Sequence, residues 1–148
     1  MTAPRSVVAA RRCWPDLPAP QPGQLDGTWE SGFLRPLVHV APAGLAVVGL
    51  PRWFGKRFDA GQGANLVRSR GEGPLGERLP MLVTGDDSWC GGGPVAAISY
   101  AADAPRPWRW VRDELRSLDD DHLLGLTLVG RAGVVARATA APFVLTRR

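Results

Sequence analysis

From Leu25 onward the chain alternates. Trp29, Ser31 and Phe33 fall on one side of an extended segment, and Thr28, Glu30 and Gly32 on the other. That period of two predicts a strand. Residues 37–40 and 45–50 are short apolar runs divided by a Pro42-Ala43-Gly44 turn. The stretch from Trp53 to Asp59 follows, then an extended segment over 64–69 and a glycine-rich loop over 71–76. Residues 79–84 read as a strand closed by Gly85-Asp86-Asp87, and 90–94 as a second loop. Val95, Ile98 and Tyr100 give the next strand its β-formers. Residues 110–118 fit both a strand and a helical period; the strand is preferred and a short helix is the alternative. Asp119-Asp120-Asp121 is a turn, 123–129 a strand, and Gly130-Arg131-Ala132-Gly133 a tight hairpin. Residues 134–138 and 143–146 complete the sheet.

Many short strands punctuated by glycine predict an all-β, mainly antiparallel protein. The expected architecture is a lipocalin-like up-and-down β-barrel of about eight to ten strands with at most a short helix. A barrel of that size either fills with side chains or holds one small ligand. Residues 1–24 stand apart. Pro4, Pro15, Pro18, Pro20 and Pro22 predict an irregular arm with one short turn over 6–12, anchored by Trp14. The barrel domain is expected over 25–148.

Composition narrows the function classes. With 148 residues, 45% hydrophobic, the chain suits one globular domain. Its net charge of +4 comes from scattered arginines rather than a cluster, so no nucleic-acid partner is expected. No apolar run approaches membrane-spanning length, so no membrane partner is expected either. Cys13 and Cys90 lie in no metal-binding spacing. Without a recognisable signal segment they read as free thiols of a cytoplasmic protein, with no role assigned. A homodimer is left open.

Lys56 is the single lysine in a chain that otherwise uses arginine. A compact ammonium differs chemically from a guanidinium and shifts its pKa readily when buried. Lys56 with Asp59, Asp113 or Glu114 could form a buried acid–base pair; the alternative is a solvated lysine at a strand end, where most lysines are found. Asp113 with Arg116 could equally be a structural ion pair. Trp29, Trp53, Phe58, Tyr100, Trp108 and Trp110 are candidates to line a pocket, with His39 and Arg112 as polar contributors. The alternative for the tryptophans is core packing. Three adjacent aspartates on one turn cannot converge on one ion, so no metal is expected.

Several of these pieces occur in a known order. Leu25-Asp26-Gly27-Thr28-Trp29, then Trp53-Phe54-Gly55-Lys56-Arg57-Phe58, then the segment 113–125 and Phe143-Val144-Leu145-Thr146-Arg147 resemble the GXWXG proteins with their DUF4334 region. The resemblance spans most of 25–147. Ser31 stands where the second glycine of the first motif would be. The Gly-x-Trp opening also looks like the first strand of lipocalin-type and nitrobindin-type barrels, whose Trp closes one end. The nitrobindin likeness implies haem, with His39 or His122 as ligand; otherwise no cofactor is expected.

The preferred functional expectation is a barrel that takes up a small apolar metabolite. It would act on it as a cofactor-free isomerase or cyclase, with Lys56 and Asp113 as the acid–base groups. The alternatives are a ligand carrier without turnover, a haem barrel, and a protein-binding module anchored by Trp108 and Trp110.

Overall fold

A computed structural model describes residues 2–21, 23–130 and 133–148. Eight antiparallel strands close into a barrel in sequence order. They are β1 Gly27–Phe33, β2 Trp53–Asp59, β3 Gln62–Arg68, β4 Leu75–Asp87, β5 Pro94–Tyr100, β6 Val111–Ser117, β7 His122–Val129 and β8 Ala141–Arg147. The ring closes where β1 pairs with β8, Trp29 opposite Arg147 and Phe33 opposite Phe143. Closure removes every free sheet edge. It also sorts the connections into two ends, because each strand reverses the last.

One end is sealed by Trp29. Its indole N–H donates to the Leu25 carbonyl at 2.7 Å, and the Arg147 guanidinium lies 4.3 Å from the ring. The other end is covered by the long β1–β2 connection. That connection contains a 3₁₀ turn, Leu37–His39, and a helix, α2, over Ala41–Val47. Here the expected turn at Pro42 is replaced by a helix whose second residue it is. Proline near a helix start loses no hydrogen bond, since the first amides have no partner within the helix.

The inner core joins Trp29, Phe58, Ile98, Leu115, Leu123 and Phe143. A second core lies outside the barrel wall, where Leu124, Leu126 and Leu128 of β7 meet Ala10, Trp14 and Leu17. The wall at β7 is therefore buried on both faces, which explains its nearly continuous leucines. The N-terminal segment that covers it contains a seven-residue helix, α1, over Val7–Cys13, capped by Ser6 Oγ accepting from the Ala9 amide. The turn foreseen over 6–12 is this helix, and Trp14 is buried as its anchor. Arg116, on the outer face of β6, ties the arm down by donating to the carbonyls of Trp14 at 2.6 Å and Gly93 at 3.0 Å.

Residues 134–138 are not a strand. They belong to a short helix, Val134–Thr139. The reason is topological: β7 and β8 already pair from His122↔Thr146 to Thr127↔Ala141, and β8's other side is taken by β1, so a further strand has no free ladder to join. The hairpin expected at 130–133 falls partly on 131 and 132, which lie outside the described residues. For 110–118 the strand reading holds over Val111–Ser117, preceded by a 3₁₀ turn over Trp108–Trp110.

Candidate functional site

β2 contains a register shift between Trp53 and Gly55. A bulge adds one residue to a strand and resets which face the next side chains occupy. Strict alternation would put Trp53 and Lys56 on opposite faces; with the bulge, both border the same cavity. The carbonyl of Phe54 in the bulge accepts a hydrogen bond from Ser31 Oγ at 2.9 Å. Gly55 is required here by contact: a Cβ would lie 1.8 Å from the Trp29 carbonyl oxygen.

Lys56 is 2% exposed. Its ammonium donates to Asp113 Oδ2 at 2.9 Å, to Asn65 Oδ1 at 2.9 Å and to the Tyr100 hydroxyl at 3.1 Å. An ammonium has three donors, so all are engaged. The Tyr100 hydroxyl donates to Asp113 Oδ2 at 3.0 Å and accepts from Asn65 Nδ2 at 3.2 Å. Thr127 Oγ1 donates to Asp113 Oδ1 at 2.8 Å, and Trp53 Nε1 donates to Asn65 Oδ1 at 3.1 Å. Six side chains from β2, β3, β5, β6 and β7 thus share one network around one ion pair.

Burial works against the charge on Lys56. The Asp113 charge, Tyr100 and the hydrogen bonds to both outweigh it, and the ammonium is held above the ordinary lysine range. Burial, followed by the Asp113 charge, pushes the Tyr100 hydroxyl up to about 12 despite Lys56 beside it. Three aromatic rings surround the ammonium: Trp53 with its centroid at 5.5 Å, Tyr100 at 5.8 Å and Phe143 at 5.8 Å. Such faces favour a cation in a poorly solvated place.

Above the network is a cavity of about 50 Å³. Lys56, Asn65, Asp113 and Thr127 supply its polar part, Phe33, Trp53, Trp108 and Phe143 its aromatic walls, and Leu45 and Leu50 from the β1–β2 connection its roof. Ligand pockets usually enclose roughly 300–1,000 Å³, so this cavity is small for one. A larger concavity of about 570 Å³ exists, but it is an open groove over β2 to β4 without the network.

Of the residues expected at a site, Lys56, Asp113, Trp53 and Tyr100 converge. Trp29 and Phe58 are buried in the same interior outside the cavity wall. His39, Trp110 and Arg112 are not in the cavity. His39 is exposed on the turn before α2, and Trp110 is half-exposed on the turn before β6. Arg112 alternates with Asp113 and therefore points outward, to Asp86 at 2.8 Å and Glu114 at 3.0 Å. Arg116 likewise faces away from Asp113, and Lys56 takes its place as the ion-pair partner. Trp108, one of the tryptophans expected to shape a pocket, borders the cavity, and Asn65, Thr127 and Phe143 complete the site without having been singled out for it. Asn65 was detectable as a polar residue inside the apolar run Ala64-Asn65-Leu66-Val67.

Haem does not fit this arrangement. His39 is exposed, and His122 is at the sealed end, 2.8 Å from Asp119 Oδ1. The three aspartates form a turn, with the Asp121 amide donating to Asp119 Oδ1 at 2.9 Å.

No family model matches the chain, so the GXWXG resemblance gains no support from that side. No curated protein matches it either. Among solved structures, a protein from Thermomonospora curvata is similar at 20% identity with a TM-score of 0.69, over 97% of this chain and 88% of that one. At that identity the likeness establishes the fold alone: a closed, eight-stranded antiparallel barrel.

Proposed function

We propose that the protein takes a small, mostly apolar molecule with one polar oxygen into the barrel beneath α2 and catalyses a cofactor-free proton transfer on it, as an isomerase or cyclase does. The supporting observation is the Lys56–Asp113 pair, held charged beside an aromatic cavity. A fixed ammonium in a dry site stabilises negative charge that develops on a carbonyl oxygen. The Asp113 carboxylate is the group able to take a proton from an adjacent carbon and return it elsewhere. Because Lys56 is protonated, a Schiff-base role is disfavoured; a neutral amine would be needed.

A second reading has its own support. All three ammonium donors are engaged within the protein, so the network can also be a polar floor that only positions a ligand. Such a barrel would be a carrier.

Tryptophan-fluorescence quenching by a panel of apolar ketones and enones tests uptake. Deuterium incorporation from D₂O into the bound compounds tests proton transfer. Exchange lost in Lys56→Met and Asp113→Asn while quenching persists supports the enzyme. Quenching without exchange in the unaltered protein supports the carrier. No quenching by any member of the panel removes both.

A further inference from the structure

The two ends of the barrel differ in charge. The described connections at the α2 end are residues 34–52, 69–74, 101–110 and 133–140. They hold Arg35, Arg52, Arg70, Arg106 and Arg109, all exposed, against Glu72 and Asp103; Arg137, in the last of them, lies instead over the outer wall beside Trp14, Cys90 and Leu126. The sealed end carries Asp26, Asp59, Asp86, Asp87 and the three aspartates from Asp119 to Asp121, against Arg147 and Arg148.

The same arginine-bearing end exposes large apolar side chains. Val40 and Val47 flank or end α2, Val47 being 87% exposed. Val134 and Val135 open the helix between β7 and β8 at 81% and 72%. Trp110 is 49% exposed, with Arg106 and Arg109 guanidinium carbons 5.5 and 5.9 Å from its ring centroid. These side chains stand on separate short helices and turns, Val40, Val47 and Trp110 on the connections at the cavity end and Val134 and Val135 on the helix packed through Ala136 against the outer wall. They form projecting tips between arginines.

We infer that the α2 end of the barrel docks on an anionic lipid bilayer. Apolar tips enter the boundary between headgroups and acyl chains, and the arginines meet the lipid phosphates. Trp110 between two arginines suits the interfacial layer, where an indole rests at headgroup depth. A second copy bound face to face is the poorer occupant, because it would oppose arginine to arginine. The placement also sets the roof of the cavity against a source of apolar solutes. The absence of a membrane-spanning run does not bear on such surface contact. The inference stands independently of any turnover in the cavity.

The test is co-sedimentation of the purified protein with phosphatidylcholine vesicles and with vesicles containing one-third phosphatidylglycerol. Binding is expected to the second and not the first, and to weaken as salt rises. Val47→Asp and Val135→Asp should each reduce it about tenfold, as loss of an inserted apolar side chain requires. Arg35→Glu with Arg106→Glu should reduce it further. Leu82→Asp, exposed on the barrel side, should leave it unchanged. Near-ultraviolet circular dichroism identifies any variant that misfolds, and Val40→Asp then replaces it. No binding to either vesicle, equal binding to both, or an equal loss in Leu82→Asp overturns the proposal. So does self-association in solution that Val47→Asp and Val135→Asp abolish, which would give this face to a second copy.

Discussion

The chain's single lysine and single tyrosine are hydrogen-bonded to each other, Lys56 Nζ to the Tyr100 hydroxyl at 3.1 Å, and both are bonded to the same oxygen of Asp113. Each therefore reports the state of the network without interference from another residue of its kind.

The phenolate absorbance of Tyr100 should not develop until the pH nears 12, well above the ordinary value of 10.0. Titration at the ordinary value in the folded protein would mean that the hydroxyl is solvated.

Stability should fall as the medium becomes alkaline. Both Lys56 and Tyr100 bind protons more tightly folded than unfolded. Between the unfolded and folded values the native state holds more protons, so each unit of rising pH favours unfolding. The contribution is complete below about pH 10, the unfolded range of both groups, and is lost above it. Denaturant midpoints measured from neutral to strongly alkaline pH should decline in this window, and less steeply in Tyr100→Phe. A flat profile would contradict the assigned pairing.

Lys56→Met should cost about 3–5 kcal/mol, because it leaves the Asp113 carboxylate buried without its counter-charge. Asp113→Asn should cost a similar amount by stranding the ammonium. Lys56→Met combined with Asp113→Leu should recover much of either loss, since a buried ion pair contributes little over apolar side chains of like volume. Additive losses in denaturant unfolding would show that the two groups are not coupled.

Gly125 lies under the Phe143 ring, where an added Cβ would come within 2.2 Å of ring carbons. Gly125→Ala should destabilise by about 1–3 kcal/mol through overpacking, and should displace a wall of the cavity. Calorimetry measures the first effect and ligand-induced quenching the second.

Trp108 Nε1 ties the roof to the rim by donating to the Val48 carbonyl at 2.8 Å. α2 itself is seven residues long, has no side-chain N-cap and buries none of its residues. Trp108→Phe keeps the ring and removes the bond. The loss should be about 1 kcal/mol, and amide hydrogen exchange over 41–49 should quicken.

Much of this fold is legible in the sequence because alternation and glycine-marked turns act locally. The burial of Lys56 was suggested by its being the one ammonium among arginines, and Asp113 was among its candidate partners. Two parts were not legible. The facing of Trp53 depends on a bulge whose only local sign is Gly55. The helical state of 134–139 depends on β7 and β8 having already satisfied each other, a long-range fact that the β-branched Val134 and Val135 point away from. His39 looked internal because it sits among apolar residues, yet those residues roof the barrel rather than enter it.

Because Lys56 is the sole lysine, nitrogen-15 labelling of lysine gives one side-chain Nζ resonance, and its pH titration with and without a bound apolar ketone tests the account most directly. One ammonium signal is expected, protonated above the free-lysine range, with slow proton exchange, and shifting when the ketone replaces one of its three acceptors. A resonance that titrates like free lysine, exchanges as fast as a solvated amine and ignores every ligand would contradict it.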